Sequence, residues 1–439
     1  MTRTSESRFN TDTALTEIAW LSAQDPDREF HSLMHHINVD SLRRCFDMLD
    51  GKKAVGADRI TKEQYGEQLQ ENLESLIHRM KHMGYRPGPV RQVLIPKEGK
   101  PGAIRPLGIS NFEDKLVQKR VQGILESIYD PIFLNASYGF RPKLGCHDAI
   151  RALHQHLFRE EVETVIDVDL ANYFNTIDHK ILEDTLRVKI KDSKFLQYIS
   201  RMLKAGVLTE NELTVSEEGV AQGSCCSPVL ANIMAHYVID LWIEEMVKPK
   251  MSGPIRAFRY ADDLIICCRY EKDAIRIKRA LSKRLEKYKL KLNEDKTKLV
   301  PFSKIKSKSG IKQGVFDFLG FTFYLSKTQN KHTIPKLKTC GKRLRAKLKR
   351  VNEWARQVRC KNTLSTIWKT FCAKLRGHVQ YYGVTFNSKK VQTFLRKAQE
   401  IMFKWLNRRS QRKSFCWDKF TLFTDKYPLP EAKICHALF

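Results

Sequence analysis

The sequence predicts an α+β fold in which helices surround short strands and a strongly basic helical region follows them. Three observations support this prediction. Apolar residues recur at helical spacing within residues 1–80, short apolar runs bounded by Gly and Pro begin near residue 87, and helical spacing returns beyond residue 326. The chain has 439 residues, 42% hydrophobic and 29% charged, which is an ordinary soluble composition and enough length for two or three domains.

The individual elements follow from these patterns in chain order. Residues 1–80 are predicted to be helical, and the prolines between 87 and 106 mark turns around strands such as Val90–Ile95. Further along, the sequence predicts a helix over 113–134, a strand over 164–170, a hairpin over 255–268, a helix over 271–290 and short strands between 310 and 325. We place a domain boundary near 326, where the composition becomes basic.

Charge is distributed unevenly along the chain. The formal net charge is +29, and residues 326–439 contain 28 Lys and Arg against 5 Asp and Glu, so +23 of that charge lies there. Such a basic region is typical of a protein that binds a polyanion such as nucleic acid. No apolar run approaches the roughly 18 residues needed to cross a bilayer, and the N-terminus lacks an apolar signal core. The sequence therefore predicts a cytoplasmic protein that does not associate with membranes.

The cysteines favour a reducing compartment. There are 11 of them, an odd number, and no pair has the C-x-x-C spacing. This pattern argues against a zinc finger and against a secreted disulfide framework.

Two adjacent carboxylates lie between apolar strand-forming runs, in Tyr260-Ala-Asp262-Asp263-Leu. Like charges this close repel each other and resist desolvation, so a fold tolerates them mainly where a cation neutralises them. A third carboxylate, Asp169, ends another apolar strand. Two divalent ions about 3.5–4 Å apart need such shared carboxylates for phosphoryl transfer, and Mg²⁺ suits carboxylate and phosphate oxygens. The alternative is that these aspartates favour turns for purely local reasons.

The segment Tyr260-Ala-Asp-Asp263 resembles the Y-x-D-D box of reverse transcriptases, and its surroundings are similar to the group II intron-encoded reverse transcriptase/maturase family. The matching blocks occur in the family's order: Ile95-Pro-Lys97, Arg105-Pro-Leu-Gly-Ile109, Asp114-Lys-Leu-Val-Gln118, Tyr138-Gly-Phe-Arg-Pro142, Asp169 with Tyr173-Phe174, Gln222-Gly-Ser224 with Ser227-Pro228, Lys296-Thr297, Phe318-Leu-Gly-Phe321, Tyr381-Tyr-Gly383 and Lys404-Trp-Leu-Asn-Arg-Arg-Ser410. One block alone is weak, but this many in order are specific.

The resemblance implies a right-hand polymerase fold of fingers, palm and thumb. It divides the chain into a helical N-terminal extension (1–80), fingers and palm (81–325), a basic helical thumb or maturase domain (326–410) and a short basic segment (411–439). It also leads us to expect a member without the metal-binding endonuclease domain that some relatives append.

In the palm, the resemblance assigns two Mg²⁺ ions to Asp169 and Asp262, with Asp263 assisting. A plain hairpin-turn role for Asp263 stays open as the alternative. Lys296 is predicted to donate a proton to the leaving pyrophosphate as a general acid. Its position in a charged loop equally fits an ordinary surface lysine.

Four further residues are predicted to contact the substrate. Lys97 and Arg105 match basic positions that hold the triphosphate through charge-assisted hydrogen bonds, although solvated side chains are the alternative. Tyr173 matches an aromatic under the incoming sugar, which would exclude a 2′-hydroxyl, or else it is a core aromatic. Gln222 is expected near the template base or the nucleotide.

Two positions depart from the family's pattern. Ala221 stands where the family usually has Pro, and Cys226 stands where it has an aliphatic residue. Ala221 removes no chemical group, so we expect an altered rate or fidelity rather than loss of activity.

The predicted function is that of an RNA-directed DNA polymerase that also binds its group II intron RNA, assists splicing and supports retrohoming. Its expected partners are intron RNA or another RNA template, a DNA target or primer, and dNTPs. Arg408, Arg409, Arg412 and Lys413 are predicted to contact RNA. The alternatives are a non-catalytic RNA-binding splicing factor and a domesticated reverse transcriptase in phage defence or a CRISPR-associated system. The repelling carboxylates argue against the splicing factor, because a pure binding protein has no use for them.

Overall fold

The computed structural model describes residues 12–96, 104–209, 212–220, 223–409 and 416–439. Its helices are α1 Thr13–Gln24, α2 Val39–Met48, α3 Lys62–Glu67, α4 Leu69–Lys81, α5 Phe112–Tyr129, α6 Cys146–Arg159, α7 His179–Arg187, α8 Ser193–Leu203, α9 Ser227–Ala235, α10 Glu271–Lys287, α11 Lys304–Lys308, α12 Gly341–Val358, α13 Leu364–Tyr382, α14 Ser388–Leu406 and α15 Trp417–Lys426. Its strands are β1 Val90–Pro96, β2 Ile104–Ile109, β3 Thr164–Asp169, β4 Val207–Leu208, β5 Leu213–Thr214, β6 Ile255–Tyr260, β7 Asp263–Cys268, β8 Lys298–Pro301, β9 Phe316–Phe318, β10 Phe321–Lys327 and β11 Thr333–Thr339.

The central sheet has the strand order β6-β7-β3-β8, and its neighbouring strands are antiparallel. Side chains alternate between the two faces of a strand. Ile166 and Ile266 belong to a core shared with the helices, whereas Val165 and Ile265 belong to a second core shared with β9–β11. Because both faces are covered, these strands are almost continuously apolar, which is the pattern that made them recognisable in the sequence.

The predicted N-terminal helices are present from Thr13 and pack against α5. The hydroxyl of Ser22 donates a 2.5 Å hydrogen bond to the carbonyl of Ile128. The buried guanidinium of Arg120 donates to the Asp12 carboxylate and to the carbonyl of His36. These helices therefore share the core of the main body.

A second sheet has the order β2-β1-β4-β5, with β1 and β2 paired as an antiparallel hairpin. Asp114 ties α5 to the chain that enters this sheet. Its carboxylate accepts hydrogen bonds from the Tyr85 hydroxyl at 2.5 Å and from the Gly88 N–H at 3.0 Å.

A third sheet, β11-β10-β9, precedes the basic helices α12–α14. Strand β10 crosses position 326, so the predicted domain boundary falls inside a strand, and the helices begin at Gly341. The charge shift appears earlier than the helices because β10 and β11 already carry lysines. Within the described part of the chain, no helix is both long enough and apolar enough to cross a membrane.

The basic helices enclose a third core, and most of the described aromatics in this region lie in it or pack against it. Phe371 and Phe420 are fully buried, and Trp368 donates from its indole N–H to the carbonyl of Tyr427 at 3.0 Å. Residues 416–439 thus pack onto the helices before them.

Candidate active site

The hairpin of β6 and β7 places two carboxylates at the edge of the central sheet. Tyr260 pairs with Asp263, and the two residues between them, Ala261 and Asp262, form the turn. Ala261 has a φ of +57°, in the left-handed region that costs a residue with a side chain some energy. Asp169 lies directly opposite Asp263 on β3. Because opposite residues of an antiparallel pair share a face, the end of β3 and the start of β7 bring these two carboxylates together.

The surroundings of these carboxylates disfavour their charged forms. Burial and, next, the neighbouring Asp262 raise the pKa of Asp263 to about 6. Burial also raises the pKa of Asp262, and Asp169 adds to this effect. The side chains of Asp262 and Asp263 are both exposed to solvent, although many protein atoms lie around them. A cation placed among them would relieve the repulsion and restore the ionised forms.

The donor set fits Mg²⁺, which prefers carboxylate oxygens. Among the described residues, no three His, Cys, Asp or Glu side chains are already arranged as a metal cage. Mg²⁺ is commonly bound by one or two carboxylates together with substrate phosphates and water, so an open set of this kind suits it better than it suits a structural metal.

Asp167 lies on the same face of β3 as Asp169, two residues earlier. Burial and then the charge of Asp263 raise its pKa to about 6. It pairs across the sheet with Lys298 on β8. Asp178, by contrast, caps α7 by accepting from the N–H of Ile181 at 2.9 Å.

Two predicted basic residues lie beside the carboxylates. The Nζ of Lys296 is 3.5 Å from Oδ1 of Asp169, and their side chains are 51% and 40% exposed. The loop that carries Lys296 is fixed because Asn293 donates from its N–H to the carbonyl of Asp169 at 2.8 Å. Arg105, exposed on β2, lies near enough to Asp262 to lower its pKa against the effect of burial.

Tyr173 was predicted to lie under the incoming sugar, with a core aromatic as the alternative, and its burial favours the alternative. Its side chain is buried, and its hydroxyl donates a 2.7 Å hydrogen bond to the carbonyl of Ala231. A ring enclosed in this way offers no surface to a nucleotide. The next residue, Phe174, is only partly buried and packs edge-on against Tyr173 at 5.8 Å between ring centroids.

Several predicted residues lie outside the described part of the chain: Lys97, Gln222, Arg412 and Lys413, together with Ala221. Next to Gln222, Gly223 has a φ of +117°, and a Cβ there would lie 2.4 Å from the carbonyl oxygen of Gly108 on β2.

The other predicted residues near these segments are described. Cys226 is buried and precedes α9. Arg408 and Arg409 are exposed after α14; Arg408 lies over the Trp405 ring, and Arg409 donates to the carbonyl of Asn362 at 3.0 Å.

Sequence reasoning missed two arginines near the carboxylates. Arg343, near the start of α12, lies close enough to Asp263 to lower its pKa against the effect of burial. Arg259 is fully buried beneath the hairpin. The sequence signal for Arg259 is a charged residue in phase with the apolar Ile255 and Ala257 of the same strand, close to the paired aspartates.

The chain is similar in sequence to a known protein family and to several known proteins. The sequence model of the family described as "Reverse transcriptase (RNA-dependent DNA polymerase)" matches residues 95–323. The chain belongs to the reverse transcriptase family. The family implies the right-hand polymerase fold, and the mixture of helices and sheets is consistent with the predicted α+β class.

The relatives include proteins named for group II introns. Group II intron-encoded protein LtrA of Lactococcus lactis is 32% identical over 243 residues, which cover 55% of this chain and 40% of LtrA. Protein YkfC of Escherichia coli is 30% identical over 321 residues, covering 64% of this chain and 83% of YkfC. An uncharacterized 91 kDa protein in the cob intron of Schizosaccharomyces pombe is 38% identical over 191 residues, covering 43% of this chain and 23% of that protein. The chain thus spans less than half the length of LtrA, and the predicted membership in the group II intron reverse transcriptase/maturase family is confirmed.

Proposed function

We propose that this protein is an RNA-directed DNA polymerase that extends a DNA primer along an RNA template with dNTPs. The observation that carries the proposal is the pairing of Asp169 with Asp263 across β3 and β7, with Asp262 in the adjoining turn. Three neighbouring carboxylates repel one another, and this arrangement is useful where they bind divalent cations together with substrate phosphates. A purely RNA-binding splicing factor would gain nothing from this arrangement.

In this proposal Asp169 and Asp262 hold two Mg²⁺ ions and Asp263 assists. Such ions supply positive charge to the attacking and leaving oxygens of the displacement. Asp263 and Asp169 share one face of the sheet, so the sheet itself sets the spacing of these ligands.

The basic residues around the carboxylates act on the triphosphate. Arg105 and Lys97 bind its oxygens, and Lys296 donates a proton from Nζ to the leaving pyrophosphate. The Nζ of Lys296 lies 3.5 Å from Oδ1 of Asp169, which places the amine beside the carboxylates proposed to hold the ions. Gln222 approaches the template base or the nucleotide.

Phe174, in place of Tyr173, lies under the incoming sugar and disfavours a 2′-hydroxyl. Its ring is the one that retains exposed surface, while Tyr173 supports it from within the core. The preference for deoxynucleotides that the sequence predicted for Tyr173 is therefore assigned to Phe174.

The basic thumb is proposed to bind RNA, including a group II intron RNA that the protein helps to splice and to insert by retrohoming. Helix α12 exposes basic side chains on its outer surface: Lys342, Arg343, Arg345, Lys349 and Arg350. Arg408 and Arg409, which are exposed after α14, are also proposed to contact RNA, as are Arg412 and Lys413 from the sequence. Binding that favours the folded RNA would stabilise it, and the RNA would supply the splicing chemistry.

The domain assignment remains as proposed from the sequence, apart from one boundary. A helical extension (1–80) precedes fingers and palm (81–325), and the thumb would begin after β11 because a strand crosses position 326. Residues 411–439 follow the thumb helices.

Primer extension with purified protein, an RNA template, dNTPs and Mg²⁺ tests the activity. We expect cDNA from the wild type and none from Asp262→Ala/Asp263→Ala. The matched control is Asp418→Ala/Asp425→Ala, which makes the same change of charge at exposed positions of α15 and should retain extension. Tight, salt-sensitive RNA binding without extension by the wild type would contradict the polymerase and favour the splicing factor.

A further inference from the structure

A buried arginine supports the turn that carries the aspartates. Arg259 is 0% exposed and lies on β6. Its Nε and Nη2 donate hydrogen bonds to the two carboxylate oxygens of Asp240, at 2.8 and 2.5 Å. Nη2 also donates to the Ser137 hydroxyl at 2.7 Å, and Nη1 donates to the Asn232 side-chain oxygen at 2.9 Å. Its remaining Nη1 hydrogen bond, at 3.2 Å, is to the carbonyl of Ala261. A guanidinium has five N–H donors, so each of them has an acceptor here.

The Ala261 carbonyl belongs to the peptide bond that leads into Asp262. Fixing this oxygen fixes the peptide plane from which the Asp262 side chain starts. The same network reaches the turn from a second side, because Asn232 donates from Nδ2 to the carbonyl of Gly139 at 2.6 Å. Gly139 packs so closely that a Cβ there would lie 2.4 Å from the Ala261 nitrogen. The turn is therefore held between a hydrogen bond and a backbone contact.

Folding alone does not account for this network. Removing two charges from water is costly, and well-packed apolar side chains of similar volume usually stabilise a core as well or better. What a guanidinium adds is direction, because its planar fork fixes five acceptors at once. The left-handed φ of +57° at Ala261 also persists only if its surroundings determine it strongly.

We propose that Arg259 is a positioning residue that sets the placement of Asp262, and hence its hold on divalent cations, by orienting the Ala261–Asp262 peptide. Asp240 and Asn232 orient Arg259 in turn. Arg259 touches neither substrate nor cation, so its effect passes through the turn. The inference rests on the proposed polymerase function, since it concerns the carboxylates that would bind the metal.

The test compares variants that keep the core filled. Arg259→Met/Asp240→Leu removes both charges together, so neither is left buried and unpaired. Partners that orient metal ligands typically change metal affinity or activity about 10- to 100-fold when removed. We expect a folded protein in which kcat and Mn²⁺ affinity fall by such a factor while KM for the template–primer is unchanged. Mn²⁺ affinity is measured by electron paramagnetic resonance, with Asp262→Asn/Asp263→Asn showing that the signal comes from these carboxylates.

A second buried arginine, Arg120, offers a matched control. Arg120 is 3% exposed and paired with Asp12 at the N-terminal helices, away from the central sheet. Arg120→Met/Asp12→Leu changes the same two groups, so it should alter the melting temperature without altering Mn²⁺ affinity. Equal effects of the two double variants on Mn²⁺ affinity would overturn the proposal.

Arg259→Lys decides the question if the double variant does not fold. Lysine keeps the charge for Asp240 but has no fork with which to hold Ala261 as well. A folded lysine variant with weaker Mn²⁺ binding supports the proposal, and wild-type Mn²⁺ binding overturns it. Mn²⁺ binding is measured without primer or template, so it tests the role of Arg259 even if the wild type extends no primer. Failure of the wild type to extend a primer would instead defeat the polymerase assignment.

Discussion

Gly139→Ala should slow primer extension strongly while leaving the protein folded. A Cβ at this position would lie 2.4 Å from the nitrogen of Ala261 and 2.9 Å from the carbonyl carbon of Tyr260. Ordinary contacts begin near 3.4 Å, so one of the two backbones must move by about 1 Å. A displacement of about 1 Å at a catalytic group can cost about 100-fold in rate, equivalent to about 2.7 kcal/mol. Since the moving segment carries Asp262, we expect a loss of that size.

The assay is single-turnover primer extension at saturating template–primer and dNTP, with melting temperatures measured alongside. Gly84→Ala is the control, because its Cβ would meet only the Arg79 carbonyl at 3.5 Å, an ordinary contact. It should extend primers at the wild-type rate. A folded Gly139→Ala protein with that same rate would refute the reasoning, because the turn would then tolerate displacement.

Three further changes have distinct expected results. Asp262→Asn/Asp263→Asn should abolish primer extension yet raise the stability of the protein at pH 8 without Mg²⁺. Burial and Asp262 raise the pKa of Asp263 to about 6, so the stability of the wild type falls as pH rises from about 4 to about 6. Melting curves of the variant should lack this fall. Tyr173→Phe should cost about 1 kcal/mol of stability and keep the preference for dNTPs. Phe174→Ala, in contrast, should allow ribonucleotides to be incorporated. The reverse pattern in a nucleotide competition assay would show that Tyr173, and not Phe174, contacts the sugar. The buried His378 ring has no hydrogen-bond partner for either nitrogen within the part of the chain that the structure describes, so His378→Leu should stabilise the protein by about 1–2 kcal/mol at pH 7. Burial lowers the pKa of His378 to about 3. The stability that the neutral ring allows is therefore fully present above about pH 6.5 and is lost as pH falls from there. This reasoning is contradicted if the melting temperature of the wild type is no more sensitive to acid than that of the variant.

The sequence predicted three of the four strands of the central sheet, β3, β6 and β7, because both faces of the sheet are covered, but it did not predict the short strand β8. Apolar runs over Thr164–Asp169 and Ile255–Cys268 favoured strands, and the polar Asp262 favoured the turn that it forms with Ala261. The boundary at 326 was less accurate, since it relied on charge alone. Charge can change at the surface of a strand, and β10 carries an exposed lysine and β11 carries two half-buried ones before the first basic helix begins.

The choice between Tyr173 and Phe174 was beyond the sequence. Both are aromatic, and neighbouring residues in an irregular turn point in directions that periodicity does not predict. The turn Tyr173–Asn175 follows Asn172, whose φ of +49° lies in the left-handed region. That backbone conformation turns Tyr173 into the core, where its hydroxyl finds the Ala231 carbonyl. A family alignment of letters alone cannot distinguish the two rings.

Arg259, by contrast, was within reach of sequence reasoning. Strand side chains alternate, so Arg259 shares its face with Ile255 and Ala257, which both lie in the helix-covered core. A guanidinium on that face must be buried, and a buried guanidinium requires a carboxylate and several further acceptors. The carboxylate is Asp240, which lies in a segment of otherwise apolar helix, His236–Asp240. Because Arg259 is in phase with buried apolar residues, its position in the strand indicates a buried guanidinium, and the hydrogen bond to Ala261 shows that this guanidinium lies under the turn that carries Asp262.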